Sequence, residues 1–237
     1  MKKVIIVGAS SGIGYDLAKV FSENGYEVGI TARRLDFLEK LQKELPNKSY
    51  ISKMDVADPT AARETLAKLV DEMGGMDILV LNAGIGDSKP SWELEQQIIM
   101  VNMAGFTALA NWAVKYFEQQ GGGQIAGISS VASVRGTHIA TVYSATKAYV
   151  SSYMEGLQQR SNRRKSNITI TDIRPGFVAT PMTQENKGMF WVASSHKAAK
   201  QIYSAIINKK RVAYITRRWW LVAQVIKSIP DFLWLRG

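Results

Sequence analysis

The sequence predicts an α/β fold, a doubly wound sheet of about seven parallel strands with helices on both faces. Three observations carry this. The candidate strands are near-continuous apolar runs rich in Val and Ile, which is the pattern of strands covered on both faces. They alternate with longer amphipathic stretches that carry helix start signals. A glycine-rich turn stands between the first strand and the first helix, where such folds bind phosphate.

The strands are read in order as "KVIIV" (3–7), "YEVGI" (26–30), the weaker "SYIS" (49–52), "DILVL" (77–81), "QIAGIS" (124–129), "NITITDI" (167–173) and "RVAYIT" (211–216). Between the third and fourth, Asp58-Pro59 offers an N-cap followed by proline at the first helical position. No internal repeat, low-complexity segment or linker is visible, so residues 1–216 are read as one catalytic domain and 217–237 as a basic, Trp-rich extension of it.

Composition narrows the chemistry. With 237 residues and 46% hydrophobic content the chain can bury a full core. Cysteine is absent and histidine is limited to His138 and His196, which excludes thiolate chemistry and disfavours a zinc centre, so no metal is expected. The basic start "MKKVIIVGAS" breaks at Gly8 instead of continuing as a signal peptide would, and no uninterrupted apolar run approaches the roughly 18–20 residues of a membrane span. A cytoplasmic location is expected. The net charge of +10 is uneven, with nine Lys/Arg against Asp231 alone in residues 195–237. An anionic surface or ligand is the implied partner.

"VIIVGASSGIGYDLAKVF" places Gly8, Gly12 and Gly14 between strand and helix, spaced G-x-x-x-G-x-G. Small residues there admit a pyrophosphate to free N–H groups at a helix N-terminus, in the manner of a Rossmann-type fold. A purely structural turn is the competing reading.

With "GASSGIG" (8–14), "LNAG" (81–84), "ISS" (128–130), "YSATK" (143–147) and "RPGFVATPM" (174–182), the chain resembles the short-chain dehydrogenase/reductase family over roughly residues 1–215. The resemblance implies that Gly8, Ser10, Ser11, Gly12, Ile13 and Gly14 cradle the cofactor and that Asp55 and Val56 flank adenine. It implies that Asn82, Ala83 and Gly84 line the nicotinamide ribose, although Asn82 also reads as a strand brace. Pro175, Gly176, Val178 and Thr180 resemble the segment covering the nicotinamide.

After strand two an acidic residue would hold the ribose hydroxyls and favour NAD(H); this chain has Thr31-Ala32-Arg33-Arg34. Two guanidiniums suit a 2′-phosphate, so NADP(H) is expected, with Arg33 the main contact and Arg34 beside adenine. Asp36 is a rival ribose ligand, and a solvated helix start the bland alternative.

Tyr143 and Lys147 stand at i and i+4 of a helix and share a face. A phenol with its ordinary pKa near 10 exchanges protons poorly at neutral pH, but a nearby ammonium and the cofactor's nicotinamide end can stabilise the phenolate, which makes Tyr143 a candidate general acid for ketone reduction, with Lys147 also binding the nicotinamide ribose. Tyr15 and Lys19 repeat the spacing but keep no serine company, and are read as structural. Ser130 and Ser129 both end strand five; the resemblance favours Ser130 as the donor to the substrate carbonyl. Asn102 matches the family asparagine that bends its helix and holds a water linking Lys147 to solvent.

Met182, Met189, Phe190 and Trp191 after the "PG" motif fit an apolar substrate lid, or else core or dimer packing. In "RRWWLVAQVIKSIPDFLWLRG" (217–237), Trp219, Val222, Ala223 and Ile226 form one stripe beside Arg217, Arg218 and Lys227, interrupted at Pro230. The stripe covers the protein itself or a partner subunit, or lies on an anionic membrane; nucleic acid is not expected. This tail is loosely similar to keto-sugar reductase subunits that act on polyprenyl-phosphate-linked pentoses, which adds a lipid-linked carbonyl to the small-molecule substrates to consider. The resemblance also implies a homodimer or homotetramer through helices near 104–119 and 145–165. The leading expectation is an NADPH-dependent carbonyl reductase, and the alternative is a non-catalytic NADP(H)-binding sensor or scaffold.

Overall fold

The structure is a computed structural model that describes residues 1–184 and 188–236. Seven strands form the main sheet: β1 (Lys3–Val7), β2 (Glu27–Ala32), β3 (Ser49–Lys53), β4 (Ile78–Leu81), β5 (Gly123–Ile128), β6 (Ile168–Pro175) and, after a two-residue pair β7 (Val178–Ala179) and β8 (Ala193–Ser194), β9 (Val212–Ile215). All seven stand where the apolar runs predict them. Their order is β3-β2-β1-β4-β5-β6-β9, and every neighbouring pair is parallel.

The period-two geometry of a strand assigns alternate residues to two cores. Val4 and Ile6 of β1, with Ile78 and Val80 of β4, face the layer of α1 (Gly12–Glu23), α2 (Leu35–Glu44) and α7 (Ser195–Ile207). Ile5, Val7, Leu79 and Leu81 face α3 (Pro59–Met73), α5 (Phe106–Gln120) and α6 (Thr141–Arg164). Continuous apolar strands are needed because both faces are covered.

Local signals set the helix ends. Asp58 accepts from Ala61 N–H at 3.0 Å and Pro59 opens α3, which ends on left-handed Gly74. Such a cap contributes about 1 kcal/mol. Between α4 (Trp92–Ile99) and α5 the helix widens into a π-turn, Met100–Gly105. Gly105 is required there, since a β-carbon on it would sit 2.1 Å from the Val56 carbonyl oxygen.

The continuous run Trp92–Gln120 is long and apolar enough to satisfy the length and composition of a membrane span. Ile98, Val101, Phe106, Leu109, Ala113 and Phe117 are buried against the sheet and neighbouring helices, which accounts for that hydropathy within the fold.

The tail forms α8 (Trp219–Ser228) and α9 (Asp231–Trp234), broken at Pro230 as predicted. Trp219 and Ala223 are buried on the protein itself, so this part of the predicted stripe is internal packing.

Candidate active site

The sheet reverses its winding between β1 and β4, and a crevice opens at the carboxyl ends of the strands there. It is a cavity of about 330 Å³. Loops after β1, β2 and β3 contribute Gly8, Ser10, Ser11, Gly12, Ile13, Arg33, Arg34, Asp55 and Val56, and loops after β4, β5 and β6 contribute Asn82, Ala83, Gly84, Ser130, Pro175, Gly176, Val178 and Thr180, with Tyr143 and Lys147 from α6. Asp36 does not line it.

Two predicted residues stand behind the wall. Gly14 packs under the glycine turn, where a β-carbon would lie 2.2 Å from Gly8 O. Its smallness therefore serves the seating of α1 under β1. Asn102 is 2% exposed and lies one layer back in the π-turn.

The glycine turn is held to the fourth strand. Asn82 Nδ2–H donates to Gly8 O at 2.6 Å, so the strand-brace reading of Asn82 is present in the geometry. Gly8 adopts φ +90°, and a β-carbon there would meet the Ala83 backbone at 2.7 Å, so only glycine fits.

The amino end of α1 is left open. Its N-cap Ser11 makes no side-chain capping bond and its first turn holds no acid, whereas Asp58, Ser91 and Ser194 cap α3, α4 and α7. Free N–H groups and the helix dipole there suit a phosphate. Arg33 and Arg34, both exposed, add cationic charge at the same end; Arg34 donates to Ser10 Oγ at 3.1 Å and lies 4.0 Å from the Phe37 ring centroid. These donors fit a dinucleotide phosphate group.

In α6, Tyr143, Lys147, Val150, Met154, Leu157 and Ser161 recur at alternating spacings of four and three. This is the inward stripe of the helix. Its last four members pack into the fold, and its first two face the cavity. The Lys147 ammonium is 5% exposed, donates to Ile128 O at 2.9 Å and stands 5.6 Å from the Tyr143 ring centroid. Burial lowers its pKa to about 8, and the Asp172 carboxylate works against that lowering.

The Tyr143 phenol is the other titratable group of the pair. Burial raises its pKa, and the opposing influence comes from the Ser130 hydroxyl, not from the Lys147 ammonium. The ammonium gives one of its three N–H donors to the Ile128 carbonyl. The phenol thus rests protonated, as a proton donor requires.

The two serines separate as strand alternation predicts. Ser129 Oγ–H is buried and donates to Asp172 Oδ1 at 2.5 Å and Ile173 O at 3.0 Å. Ser130 Oγ accepts from Ala132 N–H at 3.0 Å and faces the phenol side. Tyr15 and Lys19 turn away to one carboxylate, Glu44, at 2.7 Å and 2.8 Å. Burial and that carboxylate push the Tyr15 phenol up to about 12. The second Tyr-Lys pair is a surface ion-pair cluster.

Asn102 uses both ends of its amide. Oδ1 accepts from Ile85 N–H at 2.9 Å, and Nδ2–H donates to Ile85 O at 2.8 Å and Thr146 Oγ1 at 3.0 Å. It ties the loop after β4 to α6 between the two site residues. A β-carbon on Gly84 would stand 3.2 Å from Lys147 Nζ and 3.3 Å from Asn102 Oδ1.

Several site residues escape sequence reasoning. Gly86, the second glycine of "NAGIG", lies against the Tyr143 ring. Asp172, an acid inside the apolar run "ITITDIRP", is 3% exposed and also receives Arg174 Nε–H at 2.7 Å. Thr183 completes a capping box with Thr180, a pattern legible in "TPMT". Met182 lines the cavity as the lid reading expects, while Phe190 and Trp191 pack on Trp219 and Phe177 instead. Residues 185–187 of the lid lie outside the described residues.

Residues 2–189 match the family described as short chain dehydrogenase. An uncharacterized oxidoreductase of Mycobacterium tuberculosis is 30% identical over 237 residues, covering 95% of this chain and 92% of that one. The 15-hydroxyprostaglandin dehydrogenase [NAD(+)] of Rattus norvegicus is 30% identical over 225 residues, covering 90% and 83%. The alcohol dehydrogenase of Thermococcus sibiricus, solved with 5-hydroxy-NADP, superposes with a TM-score of 0.80 at 25% identity, covering 90% and 94%.

Proposed function

The chain belongs to the short-chain dehydrogenase/reductase family, NAD(P)-dependent oxidoreductases of CH–OH and C=O groups, and we propose that within it this protein is an NADPH-dependent reductase of hydrophobic ketones with Tyr143 as general acid. The observation that carries the reading is one cavity that holds Ser130, Tyr143 and Lys147 on its β5–α6 wall and Arg33, Arg34 and the uncapped α1 on its β1–β2 wall.

A nicotinamide cofactor held in this cavity would supply the hydride. Ser130 Oγ–H donates to the substrate carbonyl oxygen and gains strength as negative charge develops on it. Tyr143, protonated at rest, gives its proton to that oxygen. Lys147 places a buried positive charge beside the phenol that has lost its proton, and the Asp172 carboxylate opposes the loss of that charge to burial. Asn102 is a positioning residue, holding Ile85 and Thr146 in register with the α6 pair.

Arg33 and Arg34, which line the cavity where Asp36 does not, favour the 2′-phosphate of NADPH. Ile85, Val101 and Met182 supply an apolar lining, which favours a hydrophobic or lipid-linked ketone over a small free acid. Assembly as a homodimer or homotetramer through α5 and α6 belongs to the same proposal, and the aromatic side chains Trp112, Tyr116, Tyr149 and Tyr153 are left partly exposed on those helices. A panel of ketones with NADPH absorbance as readout tests the reading. Cofactor binding with no ketone oxidising NADPH would replace it with the sensor alternative.

A further inference from the structure

Exposed apolar side chains concentrate in the last 18 residues. Trp220, Leu221 and Val225 of α8 are 51%, 56% and 60% exposed, and Phe232, Leu233 and Leu235 of and after α9 are 61%, 53% and 82% exposed. The opposite side of α8, at Trp219 and Ala223, is already buried on the protein. The exposed side of α8 therefore carries three large apolar residues among the polar Gln224, Lys227 and Ser228, the make-up of a basic amphipathic surface.

This segment is fixed in place. Arg135, five residues beyond Ser130, donates to the Ile226 carbonyl at 3.2 Å, to the Ile229 carbonyl and to the Asp231 carboxylate. Trp234 Nε1–H donates to Gly136 O at 2.8 Å. At the other end Trp219 lies on Gly176, where a β-carbon would meet the indole at 2.0 Å. The exposed rows are therefore held as a rigid ledge beside the cavity.

The ledge is positively charged. Arg217, Arg218, Lys227 and Arg236 are exposed along it, and its one acid, Asp231, is neutralised by Arg135. A second copy of the same face would bring these cations against their own kind. Anionic lipid satisfies both features, with apolar burial at the headgroup boundary and attraction between cations and phosphates.

We propose that α8 and α9 dock the protein on an anionic bilayer surface, with Trp220, Leu221, Val225 and Phe232 entering the headgroup–acyl boundary. Docked so, the ledge brings the cavity close to the lipid, which suits the hydrophobic substrate of the proposed function. The docking itself does not depend on that reading.

Co-sedimentation of the full chain with phosphatidylcholine vesicles, with and without phosphatidylglycerol, tests this without any turnover. Binding is expected on the anionic vesicles only, with a blue shift of Trp emission and release at high salt. Arg217→Glu with Lys227→Glu, and separately Leu221→Ser with Val225→Ser, should each weaken partitioning roughly tenfold or more. Unchanged thermal midpoints and NADPH affinity would show that both variants fold. Absence of binding to anionic vesicles overturns the proposal. So does equal binding by the variants, or a fall in sedimenting mass on Leu221→Ser/Val225→Ser, which would assign the ledge to a second copy.

Discussion

Gly86 lies flat against the ring of Tyr143: a β-carbon on it would stand 2.5 Å from Cδ2 and 2.9 Å from Cε2. No aromatic ring tolerates such a contact, so Gly86→Ala forces a shift between the phenol ring and the loop after β4. Displacement of a reacting group by about 1 Å costs on the order of 10²-fold in rate. We expect kcat to fall by about that factor while NADPH affinity and thermal stability change little, measured by steady-state kinetics, cofactor titration and melting.

The serine pair divides by role. Ser130→Ala removes the donor to the developing oxyanion and is expected to lower kcat by about 10²–10³-fold with the fold intact. Ser129→Ala takes a buried donor from Asp172 and should cost about 1–3 kcal/mol of stability instead. Kinetics and denaturation on the two variants distinguish them, and the reversed pattern would exchange their assignments.

The pH profile follows Lys147. Its pKa is lowered from 10.5 to about 8 by burial, so the ammonium is lost as pH rises through about 8, and kcat/KM for reduction should fall there. Asp172→Asn removes the opposing carboxylate and should move that alkaline limb to lower pH. The stability sign is the opposite of a salt-bridged lysine. The unfolded chain binds more protons between about 8 and 10.5, so stability relative to Lys147→Met should rise with pH across that window. Denaturant titrations at both ends of it check the sign.

Cofactor choice rests on the end of β2. Loss of a charge-assisted bond costs about 1.5–3 kcal/mol, so Arg33→Ala should weaken NADPH on the order of 10–100-fold and leave NADH nearly unchanged. Competition titrations with the two cofactors read this directly. Equal loss for both would move the 2′-phosphate contact elsewhere.

The sheet was legible because each strand is an apolar run covered on both faces, and because Asp58-Pro59 and the glycine turn mark helix starts in local chemistry. The grouping of Gly8, Ser130, Tyr143 and Lys147 on one cavity was legible as ordered motifs at strand ends. What escaped depends on contacts between distant segments. Gly86 gains its meaning only once the loop after β4 meets α6. Asp172 matters only because β6 pairs with β5 and brings it under Ser129. The shared face of i and i+4 puts the ammonium near the phenol in sequence alone, whereas the Ile128 carbonyl that takes one of its N–H donors belongs to another strand. The tail's stripe was visible as periodicity, but the hold of Arg135 on it spans 91 to 96 residues.

The most direct measurement is single-turnover ketone reduction by Tyr143→Phe, with NADPH affinity determined on the same sample. Proton donation from this phenol requires that hydride transfer collapse while the cofactor still binds with near wild-type affinity. Turnover at the wild-type rate in that variant would show that the proton comes from another group.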